Sequence, residues 1–172
     1  MSRMMSPTIP GLRARGAVEQ FTLWAFRSWV QGFDNRPWKR AEMREGFAAI
    51  GAGEAGDPFD EALMMLAAST TTVLGVNCPT CPTVTEDEHD FLLVLAHLQR
   101  GETSRADRVL RTWLPPAAAR LCTGRFAQAA RAMDEAGYRL PVRAEALRAV
   151  DSVGWDGTAR DPVPQGASRT LH

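Results

Sequence analysis

A chain of 172 residues with 45% hydrophobic side chains is about one domain's worth of sequence and can bury a core without a disulfide framework. Its 20 basic and 20 acidic side chains cancel. That balance argues against a nucleic-acid binder, which carries a basic excess on one face, and against an acidic disordered chain.

Residues 1–12 lack periodicity and are expected to be a disordered N-terminal segment. No apolar run follows Arg3, and the first apolar stretch, 18–30, is interrupted by Glu19, Gln20 and Arg27. Neither a signal-peptide core nor a membrane span is expected there. An all-α domain is expected over 13–153, as a single-domain helical bundle or helical-hairpin layers with about six to seven helices. The first helix is placed at 13–31, with Val18, Phe21, Trp24, Ala25, Trp29 and Val30 in a wide apolar stripe and Gly32 ending it. The second, 38–50, carries Met43, Phe47 and Ile50 and stops at Gly51.

Asp57-Pro58 predicts the start of a third helix, with Asp57 as the cap. Phe59, Leu63, Leu66, Thr70 and Val73 then recur at spacings of four and three, which favours helix over strand through residue 73. Thr85-Glu86-Asp87-Glu88 is the clearest helix start: Thr85 and Glu88 have capping-box spacing, and the carboxylates complement the helix dipole. This fourth helix carries Phe91, Leu92, Val94, Leu95 and Leu98 inward and ends at Gly101. A fifth is placed at 104–114, with Ala106, Val109, Leu110 and Trp113 inward. Pro115-Pro116 break it and begin a sixth running towards Gly137, with Leu121, Cys122, Phe126, Ala130 and Met133 inward. A last short helix at 142–153 and a disordered tail at 154–172 complete the plan.

The residues that look chosen for chemistry are Cys78-Pro79-Thr80-Cys81. Cys-Pro-x-Cys resembles the active site of thioredoxin-fold oxidoreductases, which would make the pair a redox dithiol. Pro82 follows at once, however, and the chain lacks the strands of that fold. The pair is also half of a tetrahedral zinc site, which Cys122 with His89 or His97 would complete; His89 is the better candidate because it lies close in sequence to the thiols. The third reading is a proline-braced corner between the third and fourth helices, and it is preferred. Cys122 shares a helix face with Phe126 and Met133 and is expected in the core. Three cysteines are an odd number and too few for a secreted scaffold, so a cytoplasmic location is expected.

The acidic cluster 86–90 is explained by capping, and Gly51-Ala52-Gly53 reads as a joint rather than a phosphate loop because no strand precedes it. Trp113, Ala117, Gly124, Phe126, Ala129, Met133, Ala136 and Pro141 resemble one tetratricopeptide unit; an ordinary helix hairpin accounts for them as well, since stacked repeats need several copies. Trp38, flanked by Lys39 and Arg40, is a candidate partner contact, as is Trp113.

No convergent catalytic set emerges, so the expected function is a small cytoplasmic, non-catalytic helical protein-binding module: an adaptor, assembly chaperone or regulator. The acidic-capped helix followed by a helix ending in Trp113-Leu114-Pro115 resembles the general plan of all-α assembly chaperones for redox enzymes. The alternative is a thiol redox or zinc-sensing protein using Cys78 and Cys81. No cofactor is expected beyond that zinc. The expected partner is another protein or a second copy of this chain, with neither nucleic acid nor membrane.

Overall fold

The computed structural model describes residues 9–34 and 36–143. Six α-helices follow one another without a strand among the described residues: α1 Ala17–Asp34, α2 Trp38–Ala49, α3 Gly56–Ser69, α4 Glu86–Gln99, α5 Thr103–Leu110 and α6 Pro116–Glu135. Short 3-10 turns precede α1 and α3. The protein is an all-α bundle, as the sequence predicts. Residues 1–8 and 144–172, with nearly all of the seventh helix and the whole C-terminal tail expected from sequence, lie outside the described residues.

A chain of phenylalanines ties five helices together. Phe21 of α1 meets Phe47 of α2 edge-on at 5.1 Å, Phe47 meets Phe59 of α3 at 5.1 Å, Phe59 meets Phe91 of α4 at 5.8 Å, and Phe91 meets Phe126 of α6 at 5.6 Å. Phe26 stacks on Phe91 at 4.1 Å. Each such pair adds about 0.5–1.5 kcal/mol beyond its area burial. α3 against α6 is the most extensive helix pair. α4 is buried from Phe91 to Leu98 without interruption, so it is the central helix rather than a one-sided amphipathic one.

Several boundaries differ from expectation for local reasons. α1 runs through Gly32 instead of ending there, because Gly32 lets Lys39 and Arg40 approach; a Cβ would sit 3.1 Å from both. Gly46 has a similar purpose inside α2, where a Cβ would lie 2.5 Å from the Trp24 ring. Asp57 is not the cap of α3. The helix starts two residues earlier, at Gly56 after Ala55, which is already helical, and Asp57 pairs with Arg44 at 3.0 Å. α3 ends at Ser69, not at residue 73: Thr70 is extended (φ −63°, ψ 137°), and the Thr71 amide bonds the Trp113 carbonyl at 3.1 Å. Val73 is consequently 98% exposed. α5 stops at Leu110, after which a turn carries Trp113 into the interior. Leu121, expected inward, is exposed, while Cys122, Phe126, Ala130 and Met133 are fully buried.

The chain after α6 returns as a strap. Tyr138 donates its hydroxyl to the Ile50 carbonyl at 2.6 Å, Gln99 bonds both Tyr138 and Leu140, and Arg100 reaches the Leu140 carbonyl at 2.8 Å. The last described residue, Arg143, grips Glu19 at the start of α1 through two bonds of 2.9 and 2.6 Å.

Candidate functional site

The connector 70–85 between α3 and α4 holds the cysteine pair and is fixed by side chains of α1 and α4. Thr85 caps α4 with both bonds of the capping box: its hydroxyl accepts from the Glu88 amide at 3.1 Å, and Glu88 accepts from the Thr85 amide at 3.0 Å. Glu88 does more than cap. Fully buried, it takes two bonds from the equally buried Arg27 of α1, at 2.7 and 2.8 Å, and one from the Asn77 amide at 3.0 Å. Arg27 spends its other donors on the carbonyls of Cys81 (2.8 Å) and Thr83 (2.7 Å). A buried ion pair survives only when its remaining donors and acceptors are satisfied, and here the loop backbone satisfies them. Asp87 completes the anchoring, accepting from the Gly75 amide at 2.7 Å and the Trp113 indole at 3.0 Å.

Within this frame Pro79 and Thr80 are the central residues of a turn closed by the Cys81 amide donating to the Cys78 carbonyl at 3.0 Å. Proline suits the first of these positions because its φ is preset. Cys78 is exposed, Cys81 half-buried and Cys122 buried, and none is in a disulfide. The Thr80 hydroxyl lies 3.7 Å from the Cys78 sulfur. That hydroxyl, with the amides of Thr80 and Cys81 and the second thiol, holds the Cys78 thiol below its ordinary pKa against an opposing burial effect. Burial in the apolar core pushes Cys122 up to about 11.

The residues expected to complete a zinc site are not gathered with the pair. Cys122 belongs to the core. His89 is 9% exposed, and its Nδ1 lies 3.1 Å from the Arg15 guanidinium. His97 is buried against Glu102. Among the described residues no three His, Cys, Asp or Glu side chains cluster as metal ligands.

An apolar cleft of about 380 Å³ opens beside the connector. Phe26, Trp29 and Phe33 of α1 form one wall, Leu63 and Leu66 of α3 another, and Val73 of the connector a third. Phe33 is 53% exposed and stacks on Trp29 at 5.3 Å. Trp29 is fixed from behind by Asp60, which accepts its indole N–H at 2.6 Å. Asp60 also takes two bonds from Arg40, at 2.7 and 2.6 Å, and one from Arg44. Burial alone would raise the Asp60 carboxyl, but these donors bring it below the usual carboxylate range.

Of the residues expected at a partner surface, Trp38 is 56% exposed, Lys39 pairs with Glu42, and Arg40 is committed to Asp60. Trp113 requires a correction: it is 4% exposed, with its ring nitrogen bonded to Asp87 and its carbonyl to Thr71. It is a clamp on the connector, not a surface contact. The sequence reading missed Arg27, Asp60 and the cleft. A lone arginine inside an apolar helical stripe was the available signal for Arg27; the cleft joins segments 40 residues apart and leaves no local pattern.

No helix among the described residues is long and apolar enough to cross a membrane. Comparison of the chain with family models, with curated proteins and with solved structures finds no match in any of the three.

Proposed function

We propose that this protein is a small cytoplasmic protein-binding module of the assembly-chaperone or adaptor kind, which holds an apolar segment of a partner polypeptide. The observation that carries this reading is the cleft between α1, α3 and the connector. Its walls are apolar, its rim leaves Phe33 and Val73 in water, and its back is fixed by the Trp29–Asp60 bond. An apolar hollow on a rigid frame gains free energy by covering its own exposed rings and the partner's side chains together, at small ordering cost to itself. Trp38, the first residue of α2, is a further exposed aromatic side chain. Three unpaired cysteines accord with a reducing compartment.

The test is site-specific photo-cross-linking from position 73 in the native host. Adducts mapping to one apolar segment of one client, lost in Phe33→Asp, support the reading. Adducts confined to a second copy of the chain would assign the cleft to self-association instead. Scattered adducts, unchanged by Phe33→Asp, would remove the cleft from the function.

A further inference from the structure

Neither cysteine lines the apolar cleft, and the geometry of their turn suits a separate chemistry. We infer that Cys78 and Cys81 form a reversible dithiol–disulfide centre that exchanges with low-molecular-weight disulfides, Cys78 attacking and Cys81 resolving. This goes beyond the protein-binding reading and stands or falls independently of it.

Three observations converge. The hydrogen-bonded turn brings the first and fourth residues within the roughly 7 Å Cα separation that defines a β-turn, overlapping the roughly 4.4–6.8 Å that a disulfide spans. The two thiols are unequal in access: Cys78 is exposed beside the Thr80 hydroxyl, whereas Cys81 is half-buried beside that of Thr83 at 3.6 Å. An attacking thiol needs access and a stabilised thiolate, and the resolving thiol needs only proximity. The loop is also held on both sides of the turn, by Glu88 at the Asn77 amide and by Arg27 at the Cys81 and Thr83 carbonyls. Ring closure therefore joins two side chains on a backbone already in place and leaves the anchors intact.

The exchange balances without a further reagent. The Cys78 thiolate attacks one sulfur of a small disulfide, the sulfur–sulfur bond breaks, and one thiolate leaves and takes up a proton. Cys81 then loses its proton to water and attacks the Cys78 sulfur, expelling the second thiolate, which is protonated in turn. Two protein thiols are oxidised to one disulfide, and one small disulfide is reduced to two thiols.

The experiment equilibrates the full chain with glutathione redox buffers, quenches it with acid, then unfolds and alkylates it before mass analysis. Alkylatable thiols should fall from three to one, with Cys122 still free. In Cys81→Ser the glutathione adduct on Cys78 should persist. In Cys78→Ser the adduct on Cys81 should form about tenfold more slowly, as expected for a less accessible thiol. Thr80→Val should shift the pH profile of Cys78 alkylation to higher pH. Circular dichroism verifies that each variant is folded. Equal rates in the two serine variants, or a wild-type chain that keeps glutathione on Cys78 without closing the ring, would overturn the inference. Protection of both thiols by added zinc, with two chains per ion and no ring closure, would overturn it in favour of a shared metal site.

Discussion

The Arg27–Glu88 pair and the Asp60 junction employ the same charge types in different surroundings. Arg27 and Glu88 are both fully buried and saturate each other and the loop backbone. Asp60 is buried, but its partners Arg40 and Arg44 have side chains 31% and 45% exposed. A cation that can turn back to water loses little when its partner is removed, whereas one sealed in the interior cannot recover its hydration. The first junction should therefore be unforgiving and the second tolerant, although both join separate helices.

The largest effect is expected at the sealed pair. Arg27→Met should cost about 3–5 kcal/mol in urea unfolding, because it leaves a buried carboxylate without its cation. It should also open 77–83 to proteolysis. Adding Glu88→Leu should recover only part of that loss, since the Cys81 and Thr83 carbonyls still lack a donor. A single-variant loss below about 1 kcal/mol would erase the distinction between the two junctions.

Asp60→Ala should cost less, about 1.5–3 kcal/mol, the range for bonds to a charged group. The expected structural trace is local: a freed Trp29 indole and altered tryptophan fluorescence. Equal costs at Asp60 and Arg27 would mean that solvent access to the cations does not decide the matter.

Asp90 offers a sharper variant of the same contrast, a carboxyl pushed up to about 6 by burial and by its neighbours Asp87 and Glu86. Its folded-state value lies above the ordinary 3.8, so its favourable contribution is full below about pH 4 and is lost as pH rises through 6. Asp90→Asn should thus stabilise the protein at pH 7–8 by about 1–2 kcal/mol, discounted for the part of the group in contact with solvent. The gain should vanish below about pH 4. A gain that persists in acid would show that Asp90 is not titrating in that window.

The smallest effect is expected at the cleft rim. Val73→Asp should change stability by no more than about 0.5 kcal/mol, since the side chain is almost wholly in water. A loss comparable to that at Asp60 would place Val73 in a packed interior.

The cap of α4 was legible in four consecutive residues because a capping box is a local device. The start of α6 was legible in Pro115-Pro116 because proline's missing donor costs nothing in a first helical turn. The end of α3 was not legible: the apolar spacing runs on to Val73, but the Trp113 carbonyl, 42 residues away, draws the Thr71 amide out of the helix. Helix phase placed Trp113 inward, as found, and the partner-contact reading of it failed; Leu121 was misplaced because periodicity gives the phase of a helix face and not what covers it. The cysteine pair was found by its spacing, whereas its anchoring by Arg27 appears only where α1 crosses the connector.

By itself the sequence determined the all-α class, the order of the six helices among the described residues, and a proline turn holding the cysteine pair, since these follow from propensity, periodicity and contacts within a few residues. The tertiary structure alone decided which charges are sealed and which are wet, that a capping glutamate also neutralises a distant arginine, and that Phe33 and Val73 flank one hollow. Burial and hydration are properties of the whole packed molecule, and no window of sequence contains them.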